Sequence, residues 1–433
     1  MDKPPDTRVY VMSHTLEYVV SGTSYMRLSN PQVSKSPENV AMINDLFTKF
    51  VHNQKGHTFS ALYNAYQESS FGERFQPYKS AIKNIHADSG GLQIVTLGKT
   101  ITEELKDKIY ENQAKWSDVG MCFDEIPVVL TDGKSDRNDV NARYFDFDNY
   151  EEMARKTGRN IKRQLEIFEK NNSTCKPFAI LQGNCYDTYM TWSEQLLSEV
   201  PQGWHERIGG IAMGAAALGT GPLEDVKRAF IASQIPLRNK QGKLHLHILG
   251  VGSIRRLIPY LIFCQNGLYD HIEISYDSTT HSRAAETGLY FMGDKTIKYG
   301  REWSDLYQTF YDDIEKTEPV GCSIKDFYAI LNSGSEKWKE SGGDFHMWLR
   351  VRYLFVLSSI RNFMHRVDQL MNDPEEILRF TGKLKLEHQF RNLYNVKTVE
   401  DFKRWESDQY LGGSMKSMAV KSQAPATLEG LFG

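Results

Sequence analysis

The chain lacks any apolar run of about 18 residues, the length a membrane-spanning helix needs. Its start, "MDKPPDTRVYVMSH", shows no basic segment followed by an apolar core, so no secretory signal is expected. Cysteine is scarce and odd in number: Cys122, Cys175, Cys185, Cys264 and Cys322 are scattered over 433 residues. That argues against a disulfide framework and predicts reduced thiols in a cytoplasm. Charge of one sign is also missing, with a formal net charge of −3, so nucleic-acid binding would need a local basic face. A G-x-G-x-x-G loop is absent as well, since "GGIAMGAAALGTG" lacks that spacing.

What remains is ordinary globular composition, 40% hydrophobic and 25% charged, in a chain long enough for one large α/β domain with additions. From residue 80 to 290 a pattern recurs. Short apolar or β-branched runs end in Gly, Asp or Gln: "GMCFDEIP" (120–127), "PFAILQG" (177–183), "IGGIAMG" (208–214), "LHLHILGVG" (244–252) and "DHIEISYD" (270–277). Between them, 150–170 and 224–234 carry apolar residues at three- and four-residue spacing and are expected to be helices. Alternating strands and helices predict a parallel sheet, and strand ends rich in polar residues suit a (β/α)8 barrel. A doubly wound open sheet is the alternative. The polar stretch 128–149 is expected to be a loop insertion. Residues 301–410 should be a helical extension, with 345–371 a long amphipathic helix or helix pair, and 411–433 a flexible tail.

Three acids close apolar runs: Asp88 in "HADSGG", Asp124 in "MCFDEIP" and Asp277 in "EISYDSTTHSR". A single such acid is most simply a turn or helix-cap aspartate. Three at the same end of successive strands point to a site, because an unpaired buried carboxylate is costly. Two carboxylates can divide labour between nucleophile and proton carrier. A glycoside hydrolase using Asp88 and Asp277 would fit that pair, and a non-catalytic nucleic-acid binder on a barrel scaffold is a further rival.

The set "DSGGLQ" (88–93), "FDE" (123–125), "LQG" (181–183), "IGGIAMG" (208–214), "LGVGS" (249–253) and "YDSTTHSRAAETG" (276–288) resembles the tRNA-guanine transglycosylase family in order and approximate spacing. The resemblance covers roughly residues 80–290. It implies a modified TIM barrel that exchanges guanine in a polynucleotide for a 7-deazaguanine, without a cofactor. By position, Asp277 matches the nucleophile at the ribosyl C1′, Asp88 the acid/base serving N9, and Asp124 the reader of the guanine N1–H and 2-amino group. Gln182, Gly209, Gly210 and Ile211 match the groups along the other edge of the base, and Ser89 lies beside it.

The chain also departs from the family. Leu92 and Leu249 stand where an aromatic and a Met sandwich the base, so the stacking of a ring is given up. Ala215 replaces an acid near the 7-substituent, which favours a neutral 7-cyano group. Of the zinc knuckle only Cys322 remains, and Arg361 stands where its histidine belongs, so no metal is expected. Arg283 matches an arginine beside the target base, but Glu286 replaces the second one. These losses resemble the DNA-modifying branch of the superfamily, found in bacteria and phages. The expectation is therefore a DNA-guanine transglycosylase acting on double-stranded DNA, with a tRNA enzyme carrying an eroded zinc site as the alternative.

Arg155, Arg159, Lys162 and Arg163 share one helical face and are candidates for phosphate contact, with Arg350, Arg352, Arg361 and Arg366 as a second basic group. A solvated face is the simpler account of both. The end "ATLEGLFG" (426–433) resembles peptides that hold a sliding clamp, or is an incidental apolar terminus.

Overall fold

The computed structural model describes residues 16–22, 26–51, 57–66, 71–91, 101–130, 143–213, 222–298 and 305–411. Strands β1 (Leu16–Val20), β2 (His57–Asn64), β3 (Ile85–Asp88) and β4 (Val119–Met121) come first. An antiparallel hairpin of β5 (Val128–Leu130) and β6 (Arg143–Phe145) follows. Then come β7 (Lys176–Leu181), β8 (Gly210–Met213), β9 (Leu244–Ile248) and β10 (Ile272–Ser278). A second hairpin, β11 (Leu289–Met292) with β12 (Lys295–Lys298), lies past the last of these.

Eight strands pair in parallel and close in the order β1-β10-β9-β8-β7-β4-β3-β2. The protein is a TIM (β/α)8 barrel. All five residues of β1 are buried, Glu17 included, because one face meets the barrel interior and the other the helical layer. Helices Glu103–Trp116, Tyr150–Lys170, Tyr186–Ser198, Pro222–Gln234 and Ile254–Gln265 lead from strand to strand. Local chemistry sets their starts. The Thr102 side chain accepts from the Leu105 N–H at 3.2 Å, and Glu103 and Glu104 face the positive end of that helix.

One expectation changes, and in a second the first of two alternatives holds. The segment 128–149 is not simply a loop, since its ends pair as β5 and β6 and Tyr150 already belongs to the next helix; residues 131–142 lie outside the described set. The basic stretch beginning at 345 is one helix, Phe345–Asn372, started by the Asp344 carboxylate accepting from the Met347 N–H at 2.8 Å. It packs along Pro37–Val51 and β11, burying Trp348, Phe355, Phe363 and Leu370. Residues 412–433, with the clamp-like peptide, lie outside the described residues.

Candidate active site

Every barrel strand runs in the same direction, so all carboxyl ends open on one mouth, and the predicted acids gather there. Asp277 is the penultimate residue of β10 and pairs in register with Val19. Asp88 ends β3, beside Asn64 at the end of β2. Asp124 follows β4 by three residues, Gln182 directly follows β7, and Leu249 directly follows β9. Gly90 turns the chain behind Asp88 at φ +77°, and a Cβ there would lie 2.7 Å from the Asn64 amide oxygen. Only glycine serves at that turn.

The three carboxylates are held differently. Burial alone would raise Asp277, but His247, the Gly250 N–H and Ser21 outweigh it and hold the carboxyl below its ordinary range. The Gly250 N–H donates to Oδ1 at 2.8 Å, and His247 Nε2 lies 3.5 Å from the same oxygen. Asp88 is pushed up to about 6, first by burial and then by the neighbouring charge of Asp277, against the backbone N–H groups of Gly90 and Ser89. Asp124, 8% exposed, is pushed up to about 7 by burial and by Asp88, although Gln182 Nε2 donates to it at 2.7 Å. A mouth thus carries one ionised carboxylate beside two that exchange protons near neutrality, the pattern of a divided acid/base site.

Two buried polar atoms at this mouth lack a hydrogen-bond partner among the described residues, Ser89 Oγ and Gln182 Oε1. Orphaned buried polar atoms are costly and uncommon. Grouped beside raised carboxylates, they form a hydrogen-bonding edge suited to a polar, planar ligand.

Beneath the mouth runs a polar layer that the sequence reading passed over. Ser275 Oγ lies 2.9 Å from both His245 Nε2 and His247 Nδ1. One hydroxyl serving two imidazoles must donate to one and accept from the other. With His247 Nε2–H turned to Asp277, Nδ1 accepts from Ser275, and Ser275 accepts from His245 Nε2–H. Farther down, Glu17 takes Asn84 Nδ2 at 2.8 Å, His86 Nε2 at 3.0 Å and the Ser60 hydroxyl. Alternation in "LHLHI" was the signal: its histidines fall on the inward phase of a strand buried on both faces.

Other expected residues lie elsewhere. Gly209 and Gly210 sit at the amino-terminal end of β8, where Gly210 pairs with Phe178 rather than with the strand's mouth end. The Phe178 ring and the His245 carbonyl fill the space over Gly210, within 2.7 and 2.4 Å of where its Cβ would be. Ile211 pairs with Leu246 and is 1% exposed. These three support the barrel and do not border the mouth. Leu92 and Ala215 lie outside the described residues.

The arginine face is also not a free one. Arg155 pairs with Glu152 at 3.0 Å, and Arg159 with Glu152 at 2.7 Å and Glu199 at 3.2 Å. Arg163 makes a two-pronged pair with Asp107 at 3.0 and 2.8 Å. These three lace the outer helices together. Arg350 and Arg366 are likewise paired, with Glu318 and with Asp294 and Glu376, and Arg361 lies 3.8 Å from Asp313. Arg283 starts the short helix Ala284–Thr287 directly after β10, on the mouth side of the barrel. Among the described residues no group of three or more His, Cys, Asp or Glu side chains is placed to hold a metal ion.

Comparison with known protein families finds no match, and no curated protein matches. Among solved structures, the chain is similar to the carboxyl transferase domain of Rhizobium etli pyruvate carboxylase, with 13% identity and a TM-score of 0.37, covering 94% of this chain and 59% of that one. A second similarity is to the biosynthetic arginine decarboxylase of Campylobacter jejuni, with 13% identity and a TM-score of 0.30, covering 80% of this chain and 60% of that one. The chain thus spans less than two thirds of either structure. Neither is a transglycosylase, and likeness this distant carries no argument about chemistry.

Proposed function

We propose that this chain is a DNA-guanine transglycosylase that exchanges guanine for a 7-deazaguanine through a covalent intermediate on Asp277. The observation that carries the reading is the split in ionisation at one mouth. Asp277 is kept ionised, while Asp88 beside it titrates near 6.

An Asp277 carboxylate oxygen attacks C1′ of the deoxyribose as the C1′–N9 bond breaks. The bonding pair leaves with guanine, and the acid form of Asp88 gives N9 its proton. The incoming base then returns a proton from its N9 to Asp88, N9 attacks C1′, and the Asp277 carboxylate departs. Bonds made equal bonds broken in each half, so no redox group or cofactor is called for. Asp124 and Gln182 act together on the base: a carboxylate accepts from N1–H and the 2-amino group, and the amide serves the opposite edge. Binding such donors would supply the hydrogen bonds that the empty Asp124 lacks, drawing its carboxyl back toward the ionised form. Target guanine in duplex DNA has to leave the stack before C1′ is reachable, which costs a few kcal/mol.

The test is incubation with labelled guanine and either duplex DNA or tRNA. Label entering DNA supports the reading, and label entering only tRNA overturns its DNA half. Release of free sugar from an oligosaccharide without base exchange would replace it by the hydrolase.

A further inference from the structure

Beside the mouth is a small, half-open pocket lined by Arg27, Arg352, Glu286, Trp348, Tyr353 and Met26 among others. Its position follows from topology. Met26 and Arg27 come just after β1, and Glu286 just after β10, two strands that pair with each other. Both segments therefore leave the barrel on the carboxyl face, next to the strand that bears Asp277. The third wall is the rigid helix Phe345–Asn372.

The charges here do not balance. Arg27 and Arg352 each lie over the Trp348 ring, both 4.8 Å from its centre. Arg352 is paired with Glu286 at 2.5 Å. The other carboxylate facing Arg27, Glu336, is itself paired with Lys339 at 3.2 Å. Three cations thus meet two carboxylates. Burial, and then the charge of Arg352, destabilise the Arg27 cation, an effect that a bound anion would relieve. Arg27 also holds φ +57°, a conformation costing about 1 kcal/mol for a side chain other than glycine. Indole at the floor fixes both guanidiniums by cation–π contact and leaves their N–H forks for an oxyanion.

We infer that Arg27 and Arg352 clamp a backbone phosphate of the DNA strand that carries the target guanine. This assignment rests on the polynucleotide reading above. It also gives Glu286 a role: its carboxylate occupies one prong of Arg352 until phosphate displaces it, which keeps the clamp weak without DNA.

The intact protein is titrated with a short fluorescent single-stranded oligodeoxynucleotide containing one guanine, in the absence of any deazaguanine. Arg27→Gln is expected to weaken binding about tenfold, and Glu286→Gln to tighten it about threefold by removing the competing carboxylate. A gain from Glu286→Gln cannot come from misfolding. Replacing a single phosphate near the guanine by an uncharged methylphosphonate should weaken binding to the wild type and leave Arg27→Gln unaffected. Equal losses in both proteins, or weaker binding by Glu286→Gln, overturn the clamp. Binding of dGMP as tight as that of the oligonucleotide would put a free nucleotide in the cavity and overturn the strand assignment. Because binding is read without exchange, a chain that shows the charge-dependent binding but never incorporates base sinks the catalytic reading alone. One that exchanges base with Arg27→Gln unchanged in affinity sinks the clamp alone.

Discussion

Glu17 and Asp124 are both carboxylates buried in one barrel, and they ionise in opposite ways. Burial would raise either acid. Glu17 nevertheless sits well below the ordinary range, because His86, Ser60 and Asn84 all donate to it. Asp124 has one side-chain donor among the described residues, Gln182, and rises to about 7. Donors and neighbouring charge together decide the outcome: Glu17 lies beside His86 and His245, whereas Asp124 lies beside Asp88, and each bond to a charged acceptor is worth about 1.5–3 kcal/mol. A fully served acid belongs to the scaffold. An acid left short of donors is prepared for a ligand that brings them.

The sharpest way to break this contrast is at the nucleophile. Asp277→Ala should abolish the covalent protein–DNA adduct, lowering exchange by at least ~10³-fold, as seen on a denaturing gel. Retained exchange would move the nucleophile elsewhere. Next is Asp88. Its acid form is present below pH 6 and lost above it, so adduct formation should fall about tenfold per pH unit on the alkaline side. Asp88→Asn should be slower by about 10²-fold or more and flat over that range, in single-turnover measurements.

The stability pair comes third. Glu17→Gln leaves His86 and Asn84 poorly served and should lower unfolding free energy by about 3 kcal/mol. Glu17's contribution is present above its unfolded value and disappears as pH falls below it, since its folded pKa is depressed. Asp124→Asn should do the reverse, stabilising the protein at pH 8 by on the order of 2 kcal/mol while removing base binding. Here the folded pKa is raised, so the wild-type acid favours folding below its unfolded value and loses that advantage as pH climbs through about 7. Urea unfolding at pH 3, pH 5 and pH 8 reads both signs, and a stabilising Glu17→Gln at pH 5 would undo the distinction between scaffold and site. Smallest of all, Arg155→Ala should cost under about 1 kcal/mol and leave DNA affinity within twofold, because its exposed pair with Glu152 is a surface contact.

Much of this was legible in the chain. Polar residues closing β3, β7 and β10 announced the mouth, and the helix at 150–170 was found with its ends. Strands β1 and β2 were harder: "LEYVV" and "HTFSALYN" lack the terminal acid or glutamine that marks the others, and no motif falls on them. Glycine was misleading in a different way. "IGGIAMG" carries its paired glycines at the wrong end of β8, where they make room for Phe178 and a carbonyl, and sequence spacing cannot tell the bottom of a short strand from its top. Arginine spacing on the helix Tyr150–Lys170 was real, but it is neutralised by Glu152 and Glu166 of the same helix and by Asp107 and Glu199 from far along the chain. The inward histidines escaped because chemistry was sought at strand ends and not along them.

The pairing of β10 with β1 has one more consequence. Leu16 and Ile274 are neighbours in the closed barrel although most of the barrel sequence lies between them. The proposed nucleophile Asp277 therefore stands on the strand that closes the circle, and its partner His247 on the strand before. Contacts of such long sequence separation carry a large loop-closure cost and form late. In a refolding experiment base exchange would be the last property to return, after helix content and after burial of most aromatic side chains. Recovery of activity is then a measure of complete barrel closure, available without any structural probe.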